Sequence, residues 1–170
     1  YSYFAGGGQI IKSNRVYNLA NSTTSSKYGI YAYNYYAPSI DKALVANNVV
    51  DLSGANRAYG IYVYAPFSSG GIDIINNTIN IMKDPGQNST SFIYAMYVGY
   101  IDGLVQNNII YSNVNKTAGN FYGIYGFDAA GIGVNSFDNN NMYLADITGS
   151  GTVIHAYHNA TYASFTAMSA

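Results

Sequence analysis

The chain has no cysteine and no glutamate, and only 9% of its 170 residues are charged. Without cysteine there is no disulfide staple and no thiolate metal site, although the redox compartment stays open. Helical surfaces are normally built from Glu, Lys, Gln and Arg, so their scarcity argues against helix throughout. A typical soluble domain carries roughly 25% charged residues. Here Asn, Ser, Thr and Tyr make the surface polar instead, a composition more typical of extracellular structural proteins. The formal net charge is −1, and no Lys/Arg cluster occurs, which removes the electrostatic basis for nucleic-acid binding. No apolar run approaches the roughly 20 residues of a spanning helix and no basic amphipathic stretch occurs, so membrane insertion is not expected.

What is present is a repeat. Five asparagine-bearing turns lie between short apolar strands: Lys12-Ser13-Asn14-Arg15-Val16, Ala46-Asn47-Asn48-Val49-Val50, Ile75-Asn76-Asn77-Thr78-Ile79, Gln106-Asn107-Asn108-Ile109-Ile110 and Asp138-Asn139-Asn140-Asn141-Met142. Aligned on Asn14, Asn48, Asn77, Asn108 and Asn140, the steps are 34, 29, 31 and 32 residues. After each turn comes a tyrosine-rich strand: Tyr28-Gly29-Ile30-Tyr31, Tyr59-Gly60-Ile61-Tyr62, Tyr94-Ala95-Met96-Tyr97, Tyr122-Gly123-Ile124-Tyr125 and Ile154-His155-Ala156-Tyr157. A period in this range means stacked supersecondary units. Each period holds three short strands, and the link across the asparagines is too short for a hairpin, so it is a corner. Three strands and three corners make one coil of a parallel β-helix, each strand pairing with its counterpart one coil away.

Strand alternation assigns the faces. Ile11, Val45, Ile74, Val105 and Phe137 form one inward column, Val16, Val50, Ile79, Ile110 and Met142 a second, and Ile30, Ile61, Met96, Ile124 and Ala156 a third. The aligned asparagines should stack corner on corner, each amide bonding the next. Opposite in parity to the Ile30 series stand Tyr31, Tyr62, Tyr97, Tyr125 and Tyr157, an outward column that Tyr3 would extend. Beside it run Tyr33, Tyr64, Gly99, Phe127 and Asn159. Such a row stabilises the sheet through same-face aromatic neighbours, and it also offers an amphipathic platform for sugar rings or a partner surface. A leucine-rich repeat needs leucine at fixed positions and a shorter period, and a propeller needs four antiparallel strands per blade.

The columns Val-x-Asn-Asn-x-Ile and Tyr-Gly-Ile-Tyr resemble right-handed parallel β-helix repeats of the pectate-lyase-like superfamily. More narrowly, the chain resembles β-helix segments of very large surface or secreted proteins of Bacteroidetes-type bacteria, which often leave the cell by the type IX system. The closing stretch, Ser136 to Tyr143 and then Ala156 to Phe165, is similar to the end of such segments, where a short capping helix follows. The resemblance implies a right-handed helix of about five coils and an extracellular or cell-surface location. Tyr162 to Ser169 is then read as the capping helix, with Phe165 and Met168 over the last coil. In pectate-lyase-like enzymes the strand corresponding to the Tyr column commonly lines the substrate groove.

For catalysis on polysaccharides, two carboxyl groups at a set separation are needed. The aspartates are Asp41, Asp51, Asp73, Asp84, Asp102, Asp128, Asp138 and Asp146, at differing offsets from the corners and with no adjacent pair. They read as solvated loop and cap residues. His155 and His158 share one strand, and a spacing of three puts them on opposite faces. Arg15 and Arg57 lie more than one coil apart, so no anion clamp is implied. Five N-x-S/T sequons, at Asn21, Asn76, Asn88, Asn115 and Asn159, follow from the composition. No catalytic residue, metal or cofactor is assigned.

The expectation is therefore a single β-helix segment over residues 1–170, part of a longer polypeptide, serving as a non-catalytic structural or presentation module of an adhesin-like or filamentous surface protein. Tyr1 to Phe4 reads as the last strand of a preceding repeat, with its partner in an upstream part of the polypeptide or a neighbouring copy. A glycan-binding module using the Tyr column is the alternative, with polysaccharide as partner; a polysaccharide lyase or glycoside hydrolase comes third.

Overall fold

The asparagine corners turn on a residue that strand propensity does not reveal. Immediately before each aligned asparagine, the backbone is left-handed: φ is 58° at Ser13, 55° at Asn47, 56° at Asn76, 54° at Asn107 and 51° at Asn139. Asparagine is among the few side chains that tolerate this region. The doubled asparagine therefore has two functions, the first residue making the bend and the second pointing its amide along the stack. Ser13 occupies the bend in the first corner without asparagine's tolerance, and it is exposed. Ser13→Asn is expected to stabilise the fold by roughly 0.5–1 kcal/mol, read as a higher urea midpoint with unchanged slope.

The structure is a computed structural model that describes residues 2–4, 8–17, 26–34, 42–53, 57–64, 71–82, 92–99, 103–113, 119–127, 134–144, 152–158 and 161–162. In chain order, β1 (Ser2–Phe4) precedes the triplets β2 (Ile10–Lys12), β3 (Arg15–Tyr17), β4 (Ser26–Asn34) and β5 (Ala43–Ala46), β6 (Val49–Ser53), β7 (Arg57–Tyr64). Next come β8 (Ile72–Ile75), β9 (Thr78–Met82), β10 (Ile93–Gly99) and β11 (Gly103–Gln106), β12 (Ile109–Ser112), β13 (Asn120–Phe127). The last are β14 (Val134–Asp138), β15 (Asn141–Leu144), β16 (Thr152–His158) and β17 (Thr161–Tyr162).

Every third strand joins the same sheet. The first sheet has the order β1-β4-β7-β10-β13-β16-β17, the second β14-β11-β8-β5-β2 and the third β15-β12-β9-β6-β3. All pairings are parallel except β16 with β17. The architecture is thus all-β, with three parallel sheets of stacked strands as in a β-solenoid. Pairing continues around the asparagine corner: Ser13 N donates to Ala46 O at 3.1 Å, and Val49 N to Asn14 O at 2.9 Å. Equivalent bonds recur at the later corners.

The inward columns meet in one core. Val45, Ile74, Val105, Val50, Ile79, Ile110, Ile61, Met96 and Ile124 are fully buried, and Ile30 nearly so. Ile11 and Val16 at one end, and Phe137 and Met142 at the other, are only partly buried against it. The side chain of Ala156 lies outside the described set.

Three expectations change. Tyr3 pairs in register with Tyr33, so it extends the neighbouring column and not that of Tyr31. Tyr162 is a strand residue in β17, which folds back antiparallel on β16, where a capping helix was expected to begin; residues 163–169 lie outside the described set. A short antiparallel strand caps the edge of a parallel sheet by satisfying its open backbone groups. The third change concerns alternation, which breaks at Gly29-Ile30 and its counterparts Gly60-Ile61, Ala95-Met96 and Gly123-Ile124, where two successive residues face the core. Glycine permits this close approach: a Cβ on Gly60 would collide with the carbonyl of Ala95 and with Ile79, and one on Gly29 with Val50 and the carbonyl of Gly60.

Candidate functional site

Two side-chain arrays repeat through the stack, one at the corner and one on the outer face of the first sheet. At the corner, Asn48, Asn77 and Asn108 are fully buried. The Oδ1 of Asn77 accepts from both the backbone N (3.1 Å) and Nδ2 (3.0 Å) of Asn48. Asn77 in turn donates from N (2.9 Å) and Nδ2 (3.0 Å) to Asn108 Oδ1. Its Nδ2 also reaches Val45 O at 2.9 Å and Ile75 O at 3.1 Å. The same pattern joins Asn14 to Asn48 and Asn108 to Asn140. Further amide donors reach the strand before the corner, Asn48 Nδ2 to Ile11 O, Asn108 Nδ2 to Ile74 O and Asn140 Nδ2 to Val105 O. A buried amide must find partners for both ends, and this arrangement supplies them from adjacent layers.

On the first sheet, Tyr31, Tyr62, Tyr97, Tyr125 and Tyr157 share one register position; the side chain of Tyr157 lies outside the described set. The rings of Tyr31, Tyr62, Tyr97 and Tyr125 stack at centroid separations of 4.9, 4.7 and 5.2 Å, within 16° of parallel. The bend at glycine adds a second column on this face, one that strand alternation did not single out: Tyr28, Tyr59, Tyr94 and Tyr122, stacked at 4.7, 5.0 and 5.0 Å. The two columns meet edge to face. Tyr28–Tyr31, Tyr59–Tyr62, Tyr94–Tyr97 and Tyr122–Tyr125 lie 5.1–5.5 Å apart at 82–84°. Eight rings thus form a herringbone, using both geometries that the ring quadrupole favours. The signal for the second column was in the sequence, since tyrosine flanks both sides of the Gly-Ile pair, but reading it required the bend.

Stacking at the strand spacing has a chemical consequence. The interior rings have neighbours across both faces, so they do not offer the open ring faces that sugar stacking requires, and Tyr122 is buried. The adjoining column of Tyr33, Tyr64, Gly99 and Phe127 is in register. Tyr33 and Tyr64 stack at 5.6 Å, and Tyr64 leans over Gly99, where a Cβ would lie 3.0 Å from its Cε2. Asn159 lies outside the described residues.

Burial raises the phenol pKa of Tyr62 well above the ordinary value of 10.0, and the phenols of Tyr97, Tyr31, Tyr28 and Tyr64 add to the shift. Tyr94 is raised in the same way, by burial first and then by Tyr59, Tyr122, Tyr125 and Tyr97. Tyr59 is raised by burial and Tyr28, with Arg57 opposing. A raised folded pKa means the native state holds its protons more tightly than the unfolded chain. The associated stability is fully present below about pH 10 and is lost as pH rises through the folded values. In an alkaline titration, phenolate absorbance is expected to appear in an early exposed fraction. A late fraction should ionise together with loss of the β-sheet circular dichroism; a single titration at the ordinary value with the fold intact would contradict it.

The described aspartates stand apart. Asp51 on β6 accepts Asn80 Nδ2 at 2.7 Å. Asp73 on β8 accepts Leu104 N at 2.9 Å and lies 3.7 Å from Lys42 Nζ. Asp138 on β14 is exposed. Asp41, Asp84, Asp102, Asp128 and Asp146 lie outside the described residues. His155 and His158 belong to β16, and their side chains are outside the described set. Arg15 lies over the Tyr17 ring at 5.4 Å, while Arg57 is exposed on β7. No protein-family model, no curated protein and no solved structure matches the chain.

Proposed function

We propose that the chain is a rigid, non-catalytic structural or presentation module of a larger extracellular or cell-surface protein. In this reading the three sheets close into a right-handed parallel β-helix of about five coils, continued by an upstream part of the polypeptide or a neighbouring copy. One observation carries it: the side chains that recur in every layer, asparagine and tyrosine, engage one another from layer to layer. Amides bond amides at 2.8–3.0 Å, and rings cover rings at 4.7–5.2 Å. Interactions of this kind stiffen the long axis, which is what a stalk needs. The sequence resemblance to β-helix segments of large secreted proteins supports the same reading, as does the polar, weakly charged surface.

The discriminating experiment is retention on a broad polysaccharide panel, with an assay for chain cleavage on the same substrates. A structural module is expected to run unretained and to release no products. Retention of the wild-type chain that disappears in a Tyr62→Ala, Tyr97→Ala double variant whose far-ultraviolet circular dichroism stays native would make it a glycan-binding module instead. Product release would make it a lyase or hydrolase.

A further inference from the structure

At the end of the stack formed by β2 and β3, the repeating pattern is left with one half of each interaction. Every later ladder oxygen accepts two hydrogen bonds from the preceding layer: Asn48 from Asn14, Asn77 from Asn48, Asn108 from Asn77 and Asn140 from Asn108. Asn14 Oδ1 accepts none among the described residues. Beside it, Ile11 and Val16 are only partly buried, although their column mates Val45 and Val50 are fully so. A cleft of about 310 Å³ opens there, lined by Ile11, Asn14, Arg15, Val16 and Ile30 among others. Among the described residues β2 pairs only with β5 and β3 only with β6, so both are edge strands of their described sheets.

The first sheet differs in a way that fixes the occupant. There β1 already lies outside β4 as one further parallel strand, whereas the second and third sheets have no described counterpart in that layer. A second copy stacking its β14 and β15 directly on β2 and β3 would bring its β16 against β4, where β1 and its own β17 already lie. What fits beside β1 is two strands joined by a corner.

We infer that this end is a docking site for a strand–asparagine corner–strand segment, added parallel to β2 and β3 by β-strand augmentation. Its corner asparagine donates from backbone N and Nδ2 to Asn14 Oδ1, as every ladder asparagine does toward the next layer. Its apolar residues, three before and two after that asparagine, close over Ile11 and Val16. Lys12 and Arg15 are the exposed cations on this edge, so the segment carries an acidic residue at the position in register with Lys12. The chain's own last corner has this chemistry: following the register through Ala46, Ile75 and Gln106, Asp138 takes the position of Lys12. By the same alignment Phe137 takes the position of Ile11, and Met142 that of Val16.

The inference deepens the structural reading by naming the partner of one end, and it concerns a different surface from the tyrosine face. The test is a synthetic peptide of residues 134–144, added to the full chain and followed by titration calorimetry. Saturable one-to-one binding is expected, accompanied by a rise in the melting temperature of the chain. Asn140→Leu in the peptide, which leaves the protein untouched, is expected to weaken binding on the order of tenfold. Asn14→Leu in the chain should weaken it likewise while far-ultraviolet circular dichroism stays native. Absence of saturable binding, equal binding of the Asn140→Leu peptide, or head-to-tail self-association of the chain that the peptide does not compete with would overturn the proposal.

Discussion

Asn77→Leu is expected to destabilise the chain by on the order of 3 kcal/mol, several times the effect of Thr78→Ala one residue away. Leucine removes the acceptor for Asn48 N and Nδ2 and the donor to Val45 O, Ile75 O and Asn108 Oδ1. Asn48 and Asn108 are fully buried, so water cannot replace those bonds, and each orphaned group costs about 1–3 kcal/mol. Thr78 is half-buried. Its replacement by alanine removes few atoms and leaves its backbone bond to Asn48 O intact, so it is expected to cost under about 1 kcal/mol. Urea melts of the two variants decide the matter, and equal mildness would mean that the ladder contributes little.

Asn77→Asp sharpens the test through pH. A carboxylate there keeps one acceptor toward Asn48 but turns a second oxygen toward Asn108 Oδ1 and two carbonyls. Burial and these acceptors favour the protonated acid in the fold, so its folded pKa lies above the unfolded value of about 4. The variant should therefore be most stable below about pH 4 and lose stability, relative to wild type, as pH rises through the folded value.

The double substitution Tyr62→Ala, Tyr97→Ala is expected to lower stability by roughly 3–5 kcal/mol. These rings sit at the centre of the herringbone. Tyr62 contacts Tyr31, Tyr97, Tyr59, Tyr28 and Tyr64, and Tyr97 contacts Tyr125, Tyr94 and Tyr59. The paired Tyr→Phe substitutions keep the stacking and should retain most of the stability. Tyr17→Ala is the control: that ring is 62% exposed, and its loss should stay within about 0.5 kcal/mol. The near-ultraviolet circular dichroism of the coupled phenols should collapse in the alanine pair and persist in the other two. A small loss for the alanine pair would show the array to be surface decoration, returning weight to ligand binding on that face.

Much of this architecture follows from sequence alone because a parallel stack repeats its environment. Ile74, Ile79 and Met96 occupy equivalent sites to Val45, Val50 and Ile61 one layer away, so periodicity places them before any coordinate does. The same logic placed Asn14, Asn48, Asn77, Asn108 and Asn140 in one line, since an amide that must be buried at a corner finds its partners in the identical corner above and below. Charge, cysteine content and the absence of glutamate likewise limited the chemistry without reference to shape.

What only the tertiary structure decided are features that depend on departures from the ideal strand. Alternation assumes a straight pleat, yet the chain bends inward at Gly29-Ile30 and its counterparts, and that bend turns Tyr28, Tyr59, Tyr94 and Tyr122 outward. The orientation of the rings was likewise beyond a sequence pattern. At a separation near 5 Å the parallel rings stack, so the interior rings of each column cover one another's faces. The left-handed backbone at Asn47, Asn76, Asn107 and Asn139, the register that sets Tyr3 beside Tyr33, and the antiparallel return at Tyr162 are set by pairing geometry between layers. A repeat fixes which residues are equivalent; backbone curvature and interlayer spacing fix where those equivalent residues point.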